Sequence, residues 1–200
     1  MLRGEWANHE LLGIIRGTRM QIRLSVAVVL AFGLASCADF NRVGRHVAGM
    51  GVLTDSKSSF DGTRWIRLSP ALVGGTTGMF SACCSVGMLW TPKVPEGAIL
   101  TAEVSGTVAL DSVALNLDGD IRKLEPVDSF TQFGSGHSSQ KGYYIPWSTV
   151  ERIQTAKEAK ILITALSNSS VVGDLRATDG GMFIDFLPEF IGAVRNAKSQ

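Results

Sequence analysis

Asp118-Gly119 stands between two runs of alternating character, residues 112–117 and 121–125. An Asp-Gly pair in that setting is a strong hairpin signal, because both turn positions want a positive φ, which Asp tolerates and Gly adopts freely. This hairpin commits the middle of the chain to antiparallel pairing. Comparable runs recur at 63–69, 79–90, 99–105, 130–133, 143–145, 160–166 and 171–175. The cleanest sets Leu100, Ala102 and Val104 against Thr101, Glu103 and Ser105, the period of a half-buried strand. Gly/Ser-rich stretches at 73–78 and 134–140 read as exposed loops. Two helical patterns come late. Ser148 and Glu151 have capping-box spacing and open a helix to about Lys157, with Val150 and Ile153 inward. Phe183, Phe186, Leu187, Phe190, Ile191 and Val194 recur at helical spacing, with Pro188 placed in the first turn or just before it. The fold expected is α+β: a mostly antiparallel β-sheet or β-sandwich with two helices near the C-terminus.

A different kind of signal precedes the domain. Met20-Gln-Ile-Arg23 is followed by an apolar run from Leu24 to Gly33 and then by Leu34-Ala35-Ser36-Cys37. A basic start, a short apolar stretch and small residues at a cut site make a secretory signal. Residues 24–36 reach about 20 Å at roughly 1.5 Å per residue, short of a hydrocarbon core of roughly 30 Å. The last four residues resemble the lipobox of bacterial lipoproteins. That resemblance implies cleavage between Ser36 and Cys37, a diacylglyceryl thioether on the Cys37 sulfur and acylation of its new amino group. Residues 1–19 look like an extended n-region or an upstream start, with Met20 the better start. Residues 37–59, which carry Gly44, Gly49 and Gly51, read as a lipidated tether, leaving 60–200 as a single β-rich domain. Asp39 is second after the cysteine rather than first. By analogy with enteric lipoproteins, the lack of an adjacent Asp points to the periplasmic face of the outer membrane, with the inner membrane as the alternative.

Charge and side-chain chemistry narrow the function. The formal net charge is +1, and the signal takes Arg3, Arg16, Arg19 and Arg23 away against Glu5 and Glu10, leaving a value near −1. A balance so close to neutral gives no electrostatic basis for nucleic-acid binding. Asn116, Asp118, Gly119 and Glu125 fit positions 3, 5, 6 and 12 of a calcium loop, but Ala114 at position 1 offers no side-chain oxygen. The flanks also read as strands, so the hairpin is preferred and no metal site is assigned. Cys83-Cys84 leaves three readings open: a vicinal disulfide, two buried inert thiols, or a bridge between chains. Neighbours on a strand point to opposite faces, which favours the buried thiols. His46 falls in the tether, and His137 lies in a loop beside Ser135, Ser138 and Ser139, where no nucleophile elbow is formed. No catalytic or cofactor residue is assigned.

Phe60-Asp61-Gly62, Leu115-Asn-Leu-Asp118-Gly119 and Tyr144-Ile145-Pro146, taken with the lipobox, resemble small uncharacterised lipoproteins of Gram-negative bacteria. The resemblance covers about residues 60–190. It brings no known activity; the lipid anchor and the lack of a catalytic constellation instead lead us to expect a membrane-anchored, non-enzymatic binding or envelope-assembly module, held to the bilayer through acylated Cys37, with an envelope protein as partner. The competing expectation is a small-molecule binder or hydrolase-type enzyme whose pocket is walled by loops 73–78 and 134–140.

Overall fold

Strands that alternate in and out can bury one face against a second sheet or by curling the sheet on itself. This chain takes the second course. The computed structural model describes residues 49–75, 82–134, 137–177 and 182–200, all within the unit Ala48–Gln200. The described residues form ten strands: β1 (Leu53–Lys57), β2 (Arg64–Gly75), β3 (Ala82–Trp90), β4 (Gly97–Ser105), β5 (Leu110–Leu117), β6 (Asp120–Pro126), β7 (Gln132–Gly134), β8 (Ser138–Pro146), β9 (Ala159–Ala165) and β10 (Ser170–Asp174). Helix α1 (Trp147–Thr155) lies between β8 and β9, and α2 (Phe183–Lys198) ends the chain. Every pairing is antiparallel. The order β2-β10-β9-β5-β6-β8-β4-β3 returns to β2, so eight strands close a barrel. β1 pairs outside the ring with β2, and β7 pairs with β8.

The mostly antiparallel, β-rich expectation holds, while the sandwich gives way to a barrel. Among the described residues two seams of the ring carry two register pairs each: Gly173↔Gly75 and Asp174↔Gly74 join β10 to β2, and Glu125↔Tyr144 and Pro126↔Tyr143 join β6 to β8. Only one helix is near the C-terminus, because β9 and β10 separate α1 from α2. The stretch expected to be tether also changes. Leu53–Lys57 pairs along Leu68–Arg64 as β1, and the Ser69 hydroxyl donates to the Gly49 carbonyl at 2.8 Å. Ordered structure therefore begins before Phe60. Ser36, Cys37 and the rest of the export signal lie outside the described residues.

One inward row from each long strand fills the barrel. Ile66 and Leu68 on β2 face inward with Val86 and Met88 on β3, Leu100 and Ala102 on β4, Val113 and Leu115 on β5, and Ile161 and Ile163 on β9. The helical stripe expected for α2 is buried throughout and packs against β2, β3 and β1. α1 packs on β4, β8 and α2, with the rings of Trp147 and Phe190 6.3 Å apart. Two local expectations fail. The capping box does not form: Pro146 is the N-cap, Ser148 lies inside α1, and Glu151 accepts instead from Trp147 Nε1 and Arg195. Pro188 sits in the second turn of α2, since the helix starts at Phe183. Its missing N–H leaves the Ile184 carbonyl without its usual i+4 donor.

Candidate functional site

Antiparallel connectivity sorts the loops onto two ends of the barrel. The β5–β6 turn and α1 occupy one end, and the β4–β5 and β9–β10 connections lie at the other, together with the ends of β2 and β7 and the starts of β3 and β8. Both stretches expected to wall a pocket belong to this second end. Val73–Gly75 finish β2, Gly134 finishes β7, and 138–140 open β8; residues 76–78, 135 and 136 lie outside the described residues. Here a cleft of about 140 Å³ opens between the β4–β5 connection and the β9–β10 hairpin, lined by Val104, Val108, Leu110, Ile163, Ala165 and Val171 with Ser105, Ser169 and Ser170. Its chemistry is apolar with serine hydroxyls.

Strand β8 runs beneath this end, and its inward row is unexpectedly polar: Ser139, Lys141, Tyr143, Ile145. Residues 138–140, expected in a loop, are strand, and Ser139 is fully buried. Its hydroxyl donates to the Gly106 carbonyl at 2.8 Å and accepts from the Val108 amide at 2.9 Å, so it stitches the β4–β5 loop to β8. Lys141 Nζ, in a residue 8% exposed, donates to the Leu110 carbonyl at 3.1 Å. That carbonyl lies at the irregularity between Leu110 and Ser112, where β5 loses regular register with β9. The Tyr143 hydroxyl is buried without a hydrogen-bond partner, and burial together with the nearby Asp111 charge pushes its pKa up to about 12. Sequence patterning passes over Lys141 because a lysine is ordinarily exposed. Its place in the row Ser139, Lys141, Tyr143, Ile145 was the available signal.

The other singled-out residues fall elsewhere. His137 is exposed at a turn with φ 56°, and its carbonyl accepts from the Gly106 amide at 2.6 Å. His46 and Ser135 lie outside the described residues. Asp118 (φ 54°) and Gly119 (φ 89°) make the β5–β6 turn. Asp118 Oδ1 accepts the Lys157 and Glu158 amides, both at 2.9 Å, and Asn116 Oδ1 accepts the Gly119 amide at 2.9 Å. The Asp118 oxygen ties the hairpin to the segment after α1, the Asn116 oxygen closes the turn itself, and Glu125 lies further along β6 opposite Tyr144. Among the described residues no group of three His, Cys, Asp or Glu is placed to hold a metal ion, and no helix is long and apolar enough to cross a membrane.

A second feature lies on the outside of the barrel. Register places Val172 opposite Leu162 and Leu162 opposite Ala114, while Asn116 faces both Lys160 and Ile121. These outward side chains frame an apolar groove of about 190 Å³ across β10, β9, β5 and β6. Ile121 is 71% exposed, Leu162 38% and Val172 39%. In the sequence its trace is that Ile161-Leu162-Ile163 and Val171-Val172 are apolar on both faces. The class defined so far is a helix-covered, eight-stranded antiparallel barrel with an apolar outer groove. No family model matches the chain, and no curated protein or solved structure matches it.

Proposed function

We propose that this chain is a lipid-anchored envelope protein, tethered through Cys37 at the periplasmic face of the outer membrane, whose barrel is a non-enzymatic binding module. The observation that carries the binding part is the outer groove. A closed barrel already buries its apolar face inward, and the outward Val172, Leu162, Ala114 and Ile121 lie on two neighbouring rows left open on its outer surface. An apolar groove open to solvent offers a partner's side chain a place to sit. An envelope protein that offers one or two apolar side chains fits a groove of this volume, with Lys160 and Asn116 giving polar contacts at its edge. The anchoring part rests on the order of residues from Met20 to Cys37.

Two measurements test the reading. Cys37→Ser should abolish incorporation of radiolabelled palmitate; label retained in that variant contradicts the anchor. Crosslinking in membranes should capture an envelope protein with the native chain and lose it with Ile121→Glu/Leu162→Lys, provided circular dichroism shows the barrel intact. Equal capture by both chains would remove the groove from the reading. The cleft between the β4–β5 connection and the β9–β10 hairpin supports a second reading, a small apolar ligand held at the loop end. Its volume suits a few heavy atoms rather than the few hundred Å³ typical of drug-sized sites.

A further inference from the structure

We propose that Cys83 and Cys84 form a reactive dithiol that a small-molecule disulfide oxidises to a vicinal disulfide. Regular strand geometry would send the two side chains to opposite faces. Strand β3 is not regular there. Val73 pairs with Cys84 and Gly74 with Ala82, so Cys83 is an extra residue with no counterpart on β2. A bulge of this kind bends the strand and re-aims a side chain.

The effect is visible across the seam on β10. A Cβ built on Gly173 would lie 2.5 Å from the Cys83 sulfur and 3.3 Å from the Cys84 sulfur. Both sulfurs therefore crowd the same spot, which is free because Gly173 carries no side chain. The thiols are free, Cys83 half-buried and Cys84 buried. Their contact pulls the Cys83 thiol below its ordinary pKa, and the same contact with burial pushes Cys84 up. One thiol is primed to attack and reachable; its neighbour holds its proton and is sheltered. That division of labour is what thiol–disulfide exchange needs.

The exchange runs in two steps. The Cys83 thiolate attacks one sulfur of a disulfide R–S–S–R, the R–S–S–R bond breaks, and one thiolate leaves. Cys84 then gives its proton to the departing thiolate, and its sulfur attacks Cys83 in the mixed disulfide and expels the second R–S⁻, which is protonated by solvent. The protein loses two protons and two electrons, and R–S–S–R becomes two R–SH.

The test uses the full chain carrying Cys37→Ser, which leaves only this pair, folded and exposed to oxidised glutathione. Trypsin places both cysteines in one peptide, Leu68–Lys93. That peptide should lose two hydrogens without gaining glutathione, and dithiothreitol should restore it. Cys84→Ser should instead retain one glutathione on Cys83. Because a variant at a bulge can fail to fold, a second measurement uses the native pair: one phenylarsine oxide per chain should add across both sulfurs and block the oxidation. Two separate glutathione adducts, two arsenical additions, a disulfide-linked dimer, or thiols unchanged after prolonged oxidation would each overturn the proposal.

Discussion

Gly173 shows how a single missing side chain can decide packing. A Cβ there would sit 2.5 Å from the Cys83 sulfur and 2.7 Å from Val73 Cγ1, at the seam between β10 and β2. Gly173→Ala should cost about 1–3 kcal/mol by overpacking, read from the urea midpoint. Gly119 poses a different problem: nothing lies near its missing Cβ, but its φ is 89°. Gly119→Ala should cost about 1 kcal/mol through backbone strain alone. Calcium and chelator should both leave the melting temperature unchanged, and Glu125→Gln should be nearly silent. A calcium-dependent rise abolished by Glu125→Gln would restore the metal reading of this turn. The turn was legible in the sequence because Asp-Gly fixes local backbone geometry. Gly173 was not, since its constraint comes from a strand some ninety residues earlier, a separation no local pattern reports.

Among the elements, α1 is tied to the β5–β6 hairpin by charge. Arg152 bonds to Asp120 and donates to the Leu117 carbonyl at 2.9 Å, and Arg122 shares the same carboxylate. Arg152 first, then Arg122, hold the Asp120 pKa below its ordinary value. A carboxylate lowered in the folded state stabilises above its unfolded pKa of roughly 4 and loses that contribution as pH falls through its folded value. Asp120→Asn should therefore flatten part of the acid-side fall in stability while mattering less than the native Asp does at neutral pH. Thermal melts between neutral pH and acid read both effects; an unchanged acid slope would contradict the coupling. On α2, Phe190 is fully buried against Trp147, and Phe190→Ala should cost about 3–5 kcal/mol in denaturant titration. The buried stripe of α2 and most strands followed from periodicity. β1 did not, because Leu-Thr-Asp-Ser-Lys carries one apolar residue and exposes the other four. Its place is set by pairing with β2 rather than by any pattern of its own. Nor could periodicity distinguish a sandwich from a barrel, since both ask the same alternation of every strand.

For the molecule as a whole, the ring divides into two groups of well-paired strands, β2-β3-β4-β8 and β6-β5-β9-β10, joined among the described residues by two residue pairs at each of two seams. Amide exchange should report this: protection at Gly173 and Asp174 should be lower than in the long β3–β4 and β4–β8 ladders. Equal protection around the ring would mean the short joins are no weaker than the rest. The same arrangement has a consequence in time. The hairpins β5–β6 and β9–β10 join neighbours in sequence, whereas Gly74 must find Asp174 roughly 100 residues later, and distant pairings are slow to form. The circle is thus expected to close last. Until it does, the Gly74–Gly75 and Gly173–Asp174 edges stand bare, with donors and acceptors open to any neighbouring chain. A newly made copy is at greatest risk of sticking to another during that interval, and whatever shortens the interval protects it.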